Sequence, residues 1–430
     1  MARPSKGSIL SASRNRGTFQ RCPKAAPAII VRDVSPKERG MRLFDYGKLS
    51  RLMAEKDIAV VLAHTQPNVE YLTDCVWVHH FNKDNFILED GKSYYLSVVG
   101  LPQDEGKAFY MGCSTEIGYP ETYGMWIQDR RYWGASFVVE GRKAQVTIAD
   151  NPMARLVEAL REKGLDRGRI GVEWRHIEMF YFEQLRQALP QAIFVDAEPI
   201  LWELRMVKSA EEIARMRRAA RGSSDVAHLC YSTAEAGMTE WDMDALIDRA
   251  LTEQGLHHEY TEIAFGPKGA GFVGATETRL EPGHILRLDI GGSYQGYQSD
   301  LSRSLAYGQV SDEAKRAHAC IYNANVALRE AVRPGVTGVE LFKLCMKVIE
   351  GAGNVPLTRQ AGHSLGRTVH EPPFLTPDWD RPLEPGMVVN VEPTMRIQGV
   401  GSVNIEDTML ITEDGAECLT TVPRELEAYA

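Results

Sequence analysis

Two aspartates set inside apolar runs constrain this chain more than any other feature. The stretch Leu286-Arg-Leu-Asp-Ile-Gly-Gly-Ser-Tyr-Gln-Gly-Tyr-Gln-Ser-Asp-Leu-Ser-Arg303 carries Asp289 in its first run and Asp300 in its second, with Gly291 and Gly292 between them. Apolar runs bounded by glycine predict two strands joined by a turn. A carboxylate buried without a partner is strongly disfavoured, so something positive must face both acids. Paired carboxylates on adjacent strands can converge on one hard cation, which makes a divalent metal the simplest candidate.

Three downstream residues extend the set. His363 lies in Ala361-Gly-His-Ser-Leu-Gly366, while Glu392 and Glu406 each sit in an apolar strand run. The flanking glycines allow close backbone approach at His363. Alternation along a strand places Asn390 on the face of Glu392, and Asn404 on that of Glu406. Singly, each acid reads as well as an ion-pair partner or an edge residue. Together, four acids in apolar strands leave excess buried negative charge. Four carboxylates and one imidazole suit a pair of divalent ions such as Mn, Co, Zn or Fe.

The surrounding pattern gives the scaffold. Residues 41–204 mix helices and strands: a helix over 42–56, a strand at Ile58–Ala63, strands over 90–100 and 108–112, a helix over 152–163 and a strand at 170–173. That alternation predicts an α/β domain. It has no glycine-rich nucleotide loop. Trp77, His79, His80, Trp126 and Trp133 fall in its looser segments, as core, interface or substrate-facing residues. A boundary is expected near Leu204–Ser209. Beyond it, Ser209 with Glu212, Thr239 with Asp242, and Thr337 with Glu340 read as capping boxes, and Ser311 caps a helix of about twenty residues. The last third is strand-rich again, so residues 205–430 read as α+β.

Composition excludes several classes. With 58 acidic against 49 basic residues the net charge is −9, which gives no electrostatic case for nucleic acid or an anionic membrane. No apolar run approaches the ~18 residues of a membrane span. The seven cysteines form no CxxC pair, which argues for a reducing compartment, taken as cytoplasmic, and against a thiolate zinc site. Residues 1–32 are basic and acid-free, as a transit peptide is; the alternative is an N-terminal arm, over 1–40, that is flexible or contacts a partner.

The residues also carry a resemblance. Residues 204–417 resemble the catalytic domain of the metallopeptidase family that includes methionine aminopeptidase, prolidase, aminopeptidase P and creatinase, with its pita-bread fold. The matching pieces are Arg205-Met-Val-Lys-Ser209, the Asp289/Asp300 pair, Arg333-Pro-Gly335, Gly362-His-Ser-Leu-Gly366, His370-Glu-Pro372, Glu392-Pro393 and Ile405-Glu-Asp-Thr408. The preceding segment resembles the creatinase/prolidase N-terminal domain. By this resemblance Asp289, Asp300, His363, Glu392 and Glu406 fall on metal-ligand positions, with Asp300 and Glu406 bridging two ions. Glu392 would also handle the proton of the attacking water, and His370 would lie near the substrate. The resemblance implies hydrolysis of an amide bond in a short peptide or small molecule, Xaa-Pro dipeptides or aminopeptidase substrates first, by a homodimer. Alternatives on the same fold are a dimethylsulfoniopropionate lyase, a creatinase-like enzyme, or a non-catalytic binding module.

The departures concern the substrate. A histidine usual in the prolidase branch is missing from Gly271–Thr278, and Asn404 stands where Arg is common. Arg287, Arg359 and Arg367 are additional cations. One or more of them is expected to bind an anionic or carboxylate-bearing substrate, for which Arg is suited. For Arg287 the competing expectation is an outer ion pair to a ligand acid.

Overall fold

The computed structural model describes residues 42–75, 96–134, 151–267, 274–354, 359–427 and 429. The N-terminal arm, Trp77, His79, His80, residues 90–95 and residues 271–273 lie outside these.

Helix α1 (Tyr46–Glu55) buries Tyr46, Leu49 and Met53, one face at helical spacing. It leads into β1 (Ile58–Ala63), whose β-branched run is almost wholly buried. Helix α2 (Gln66–Thr73) comes next. Then come β2 (Val98–Pro102), β3 (Phe109–Cys113), α3 (Tyr119–Tyr123), β4 (Asp129–Trp133), α4 (Pro152–Glu162), β5 (Gly168–Val172), α5 (Met179–Ala188) and β6 (Ala192–Asp196). The six strands form one sheet in the order β4-β3-β2-β1-β5-β6. It is mixed: β1 runs parallel to β5 but antiparallel to β2.

Helix α2 is anchored at its start by an acid from another strand. The buried Glu173 carboxylate, just past β5, accepts the backbone N–H of Thr65 (2.8 Å) and that of His64, and Asn68 Nδ2 (2.6 Å). An acid at a helix N-terminus satisfies free donors and the helix dipole together. Burial alone would raise the pKa of Glu173, but the His64 ring and these hydrogen bonds hold it below the usual range.

Helix α6 (Glu198–Met206) runs through residue 204, and Val207–Ser209 separate it from the next helix. Helix α7 (Ala210–Thr233) and α8 (Glu240–Glu253) start at the predicted capping boxes. Next come β7 (His257–Phe265), β8 (His284–Tyr294), β9 (Tyr297–Gln298) and β10 (Leu301–Tyr307), with β8 central between β10 and β7. The hairpin turn is not at Gly291-Gly292, which lie within β8. It falls at Gln295-Gly296, both at positive φ, with Tyr294 paired to Tyr297. Two left-handed residues in a two-residue loop match the twist of the flanking strands.

Helices α9 (Asp312–Ala331) and α10 (Gly338–Gly351) start at Ser311 and Thr337, as predicted. The remaining strands are β11 (His363–Ser364), β12 (Glu371–Phe374), β13 (Val388–Val391), β14 (Thr394–Ile397), β15 (Gly401–Asn404), β16 (Asp407–Ile411) and β17 (Ala416–Cys418). Five of them form a sheet in the order β12-β11-β13-β16-β17. One apolar cluster joins Leu49, Val61 and Tyr71 to Tyr297, Leu365, Val388 and Leu410. The N-terminal sheet and its helices therefore share a core with the later sheets. Among the described residues no helix is long and apolar enough to cross a membrane.

Candidate metal centre

Backbone pairing brings the acids together. Asp289 is on β8, directly opposite Glu262 of β7 and Ser302 of β10. Asp300 sits one residue before β10. A bridge between Ser302 and Glu406, with Glu406 N–H donating to Ser302 O (2.9 Å), puts Glu406 beside the two aspartates. Glu392 follows β13, and its N–H donates to Ala361 O (2.8 Å), which fixes it near His363.

His363 is the hub. Its Nδ1 lies 3.1 Å from Ser364 O, an acceptor only, so the ring proton belongs on Nδ1. Nε2 then turns toward Asp300 Oδ2, Glu392 Oε2 and Glu406 Oε1, each 3.6 Å away. These separations are too long for hydrogen bonds, so three carboxylates converge on Nε2 at a spacing that leaves room for a cation between them. The donor atoms fall into overlapping groups: Asp289–Asp300–Glu406, His363–Glu392–Glu406, and Asp300–His363–His370, each within 4.8 Å. Glu406 belongs to the two groups that contain Asp289 or Glu392. Hard oxygen donors with one imidazole fit divalent ions well.

The electrostatics say the same. Burial, then repulsion from Asp300, Glu392 and Asp289, pushes Glu406 well above the usual carboxylate range. Asp289 is raised by burial against the pull of Arg287, and Asp300 by burial against that of His363. Burial would lower His363, but the facing Glu392 and Asp300 raise it. Carboxylates with raised proton affinity are under-compensated by positive charge.

Surrounding groups hold these side chains, though not in the predicted pairs. Asn390 Nδ2 donates to Glu406 (2.8 Å), while Asn404 Nδ2 reaches Glu392 (3.3 Å) and Asp289 (3.5 Å). Each asparagine serves the other's expected glutamate, because Glu392 lies past the end of β13 and Glu406 between β15 and β16. The Tyr260 hydroxyl donates to Asp300. A Cβ on Gly291 would sit 2.0 Å from the Tyr260 ring, so the glycine makes room for it. Tyr260 carries no sequence signal of its role.

The cluster forms the floor of a cavity of about 620 Å³. Glu259 and Glu262 of β7, Gln360, Arg367, Thr368 and His370 line it, and α2 supplies Gln66, Pro67 and Glu70. His370, exposed overall, has its ring centroid 3.8 Å from that of His363. Loss of solvent on its inner side, then the His363 charge, pushes its pKa down to about 4. Its loop is fixed by the next residue: Glu371 is buried against Lys208 (2.9 Å) and Arg205, which also donates to Asn68 (3.0 Å).

The three arginines part company. Arg287 is buried outside the cavity wall, its Nη2 2.9 Å from both Glu262 and Asp289. Arg359 is exposed and does not line the cavity. Arg367 lines it, but its guanidinium faces Glu70 (3.4 Å) and Asp74 (3.6 Å), donates to Gln295 O (3.2 Å) and lies over the Tyr297 ring. Of the three, Arg367 is the one that lines the cavity, and its Nε and Nη2 make no hydrogen bond to the described residues.

Known proteins match this chain in two segments. The Creatinase/Prolidase N-terminal domain model covers residues 46–207, and the model described as Metallopeptidase family M24 covers residues 214–413. A putative dipeptidase, YkvY, from Bacillus subtilis (strain 168) is 31% identical over 88% of this chain and 98% of its own. An Xaa-Pro dipeptidase from Lactobacillus helveticus is 29% identical over 65% of this chain and 77% of its own. The crystal structure of the prolidase from Pyrococcus horikoshii OT3 aligns with a TM-score of 0.74 over 89% of this chain and 99% of its own, at 23% identity, and so shares the fold. A creatinase-type N-terminal domain followed by a pita-bread domain, with carboxylates and an imidazole gathered at one cavity, makes this chain a member of metallopeptidase family M24.

Proposed function

We propose that the protein is a dipeptidase using two divalent ions, which Asp289, Asp300, His363, Glu392 and Glu406 would hold. The observation that carries this is His363 Nε2 set 3.6 Å from three carboxylate oxygens. Xaa-Pro dipeptides are the first substrate class, supported by the name of the Lactobacillus relative. Mn, Co, Zn and Fe all suit the donor set.

When bound, such ions polarise the scissile carbonyl and make water acidic enough to attack at neutral pH. The protein's own groups move the protons. Glu392 has 13% of its side chain open, against 4% for Asp300 and 1% for Glu406, so it is the ligand acid that can take a proton from the attacking water and return it to the leaving amine. Neutral His370 beside it has one donor and one acceptor, and its N–H can hold the carbonyl oxygen as charge develops there. The N-terminal region, residues 41–204, roofs the cavity through α2, and residues 205–430 supply the catalytic groups.

We further infer a homodimer in a reducing, cytoplasmic setting. No disulfide links the six described cysteines, which supports the compartment. Exposed apolar residues on edge strand β6 (Ile193) and on α5 (Met179, Phe180) support the pairing.

The test is to reconstitute the protein with each metal and assay Xaa-Pro dipeptides, Xaa-Pro-Xaa tripeptides, creatine and dimethylsulfoniopropionate. Dipeptide hydrolysis is expected, with metal and activity both lost in Asp300→Ala. Full metal occupancy in that variant overturns the site, and turnover of dimethylsulfoniopropionate alone overturns the dipeptidase.

A further inference from the structure

Arg287 is an odd neighbour for a cluster that gathers cations. It shares a face of β8 with Asp289, is 4% exposed and stays off the cavity wall. Its Nη2 lies 2.9 Å from Asp289 Oδ2 and 2.9 Å from Glu262 Oε2. Asn404 Nδ2 approaches the same Asp289 Oδ2 at 3.5 Å. Both contacts thus go to one oxygen of Asp289, Oδ2, while its carboxylate also lies within 4.8 Å of ligand atoms of Asp300 and Glu406. The His363–Glu392–Glu406 group does not contain Asp289, the ligand acid to which Arg287 donates.

We propose that Arg287 is a positioning residue that sets the affinity of the ion position containing Asp289, with Glu262 as its counterweight. The inference rests on the two-ion reading above. Arg287 acts in two ways. It withholds one carboxylate oxygen, so Asp289 offers a single ligand atom. It also places a unit positive charge, in a buried setting where screening is weak, behind that ligand. Glu262 takes part of this charge: it lies across from Asp289 on β7 and shares the same Nη2. Loss of Glu262 leaves the guanidinium to Asp289 alone.

The two partners therefore act with opposite signs. A neutral side chain at 287 frees Asp289 and removes the opposing charge, which tightens one ion-binding step. A neutral side chain at 262 strengthens the Arg287–Asp289 pair and loosens the same step. A merely structural salt bridge would lower stability in both variants and move neither affinity in a signed way.

The experiment is calorimetric titration of Mn²⁺ into metal-free parent, Arg287→Gln, Arg287→Lys and Glu262→Gln proteins. Expected are two steps in the parent, one tightened at least tenfold in Arg287→Gln, near-parent values in Arg287→Lys, and the same step loosened several-fold in Glu262→Gln. Unchanged steps in both neutral variants, or equal weakening of both steps, overturn the proposal. So does a raised KM for peptide substrates with unchanged Mn²⁺ binding, which would make Arg287 a substrate residue. If Arg287→Gln does not fold, Arg287→Met takes its place, and unchanged Mn²⁺ steps in that variant overturn the proposal. Fewer than two steps in the parent overturns the two-ion reading itself, a failure visible without any variant.

Discussion

His318 on α9 sets a pH dependence that is independent of the cavity. It is 4% exposed, its Nε2 has no hydrogen-bond partner, and it lies near Glu425, Arg303 and the backbone of Arg424. Burial pushes its pKa from 6.5 down to about 4. The unfolded chain therefore takes up this proton first, so the stability is complete above pH 6.5 and is lost as the pH falls toward 4. One pKa unit corresponds to about 1.4 kcal/mol, which puts the loss at pH 4.5 at roughly 2–3 kcal/mol. In urea denaturation at pH 7 and 4.5, His318→Gln is expected to lose that much less on acidification than the parent. Equal losses would show that another group controls acid stability. Other residues are legible in the amino-acid sequence itself: Asp289, Asp300, Glu392 and Glu406 declare themselves because an acid in an apolar run needs a reason. Asn390 and Asn404 are legible as neighbours of the glutamates, but alternation pairs each with the wrong one. Strand alternation holds only within a strand, and both glutamates lie just outside one.

At the scale of elements, the approach of β11 to β13 decides where His363 points. Gly362 has φ +147°, and a Cβ there would lie 1.9 Å from Asn390 O. Backbone cannot yield as a flexible side chain does. Gly362→Ala is expected to push the two strands apart, cost roughly 2–4 kcal/mol and lower the metal bound per chain. The control is Gly415→Ala, where nothing lies within 4 Å of the added Cβ. Denaturation midpoints and metal content measured together check this; a Gly362→Ala protein that retains both would show that β11 is not pinned by close contact. Helix starts are legible at this scale because a capping box is local: Ser209 with Glu212 and Thr239 with Asp242 pair as the spacing requires. The hairpin turn is not. Gly291 and Gly292 resemble a turn, yet they are glycine to admit the side chains of Tyr260, Leu251 and Ser223, while Gln295-Gly296 makes the turn.

Across the whole molecule, the cavity joins residues that no local pattern relates: Glu70 and Arg367, 297 positions apart, meet on one wall. Such pairings come from the packing of one sheet system on another, which composition and periodicity do not encode. The same scale governs assembly. Strand β6 is the edge of the six-stranded sheet, and Ile193 on it is 57% exposed. Trp174, Met179 and Phe180 are also exposed nearby in sequence, and rings link Trp174 to Phe182 and Phe182 to Phe194 of β6. An apolar edge strand with free backbone donors and acceptors is a liability unless something covers it. A second copy can do so symmetrically, since an antiparallel pair of identical edges satisfies both at once. Ile193→Asp would place a charge on each copy at such an interface, where like charges in proximity repel. Light scattering is expected to give a dimer for the parent and a monomer for Ile193→Asp, with Mn²⁺ binding retained because β6 contributes nothing to the cavity wall. A variant that remains dimeric would move the interface elsewhere, and a monomeric parent would remove the homodimer altogether.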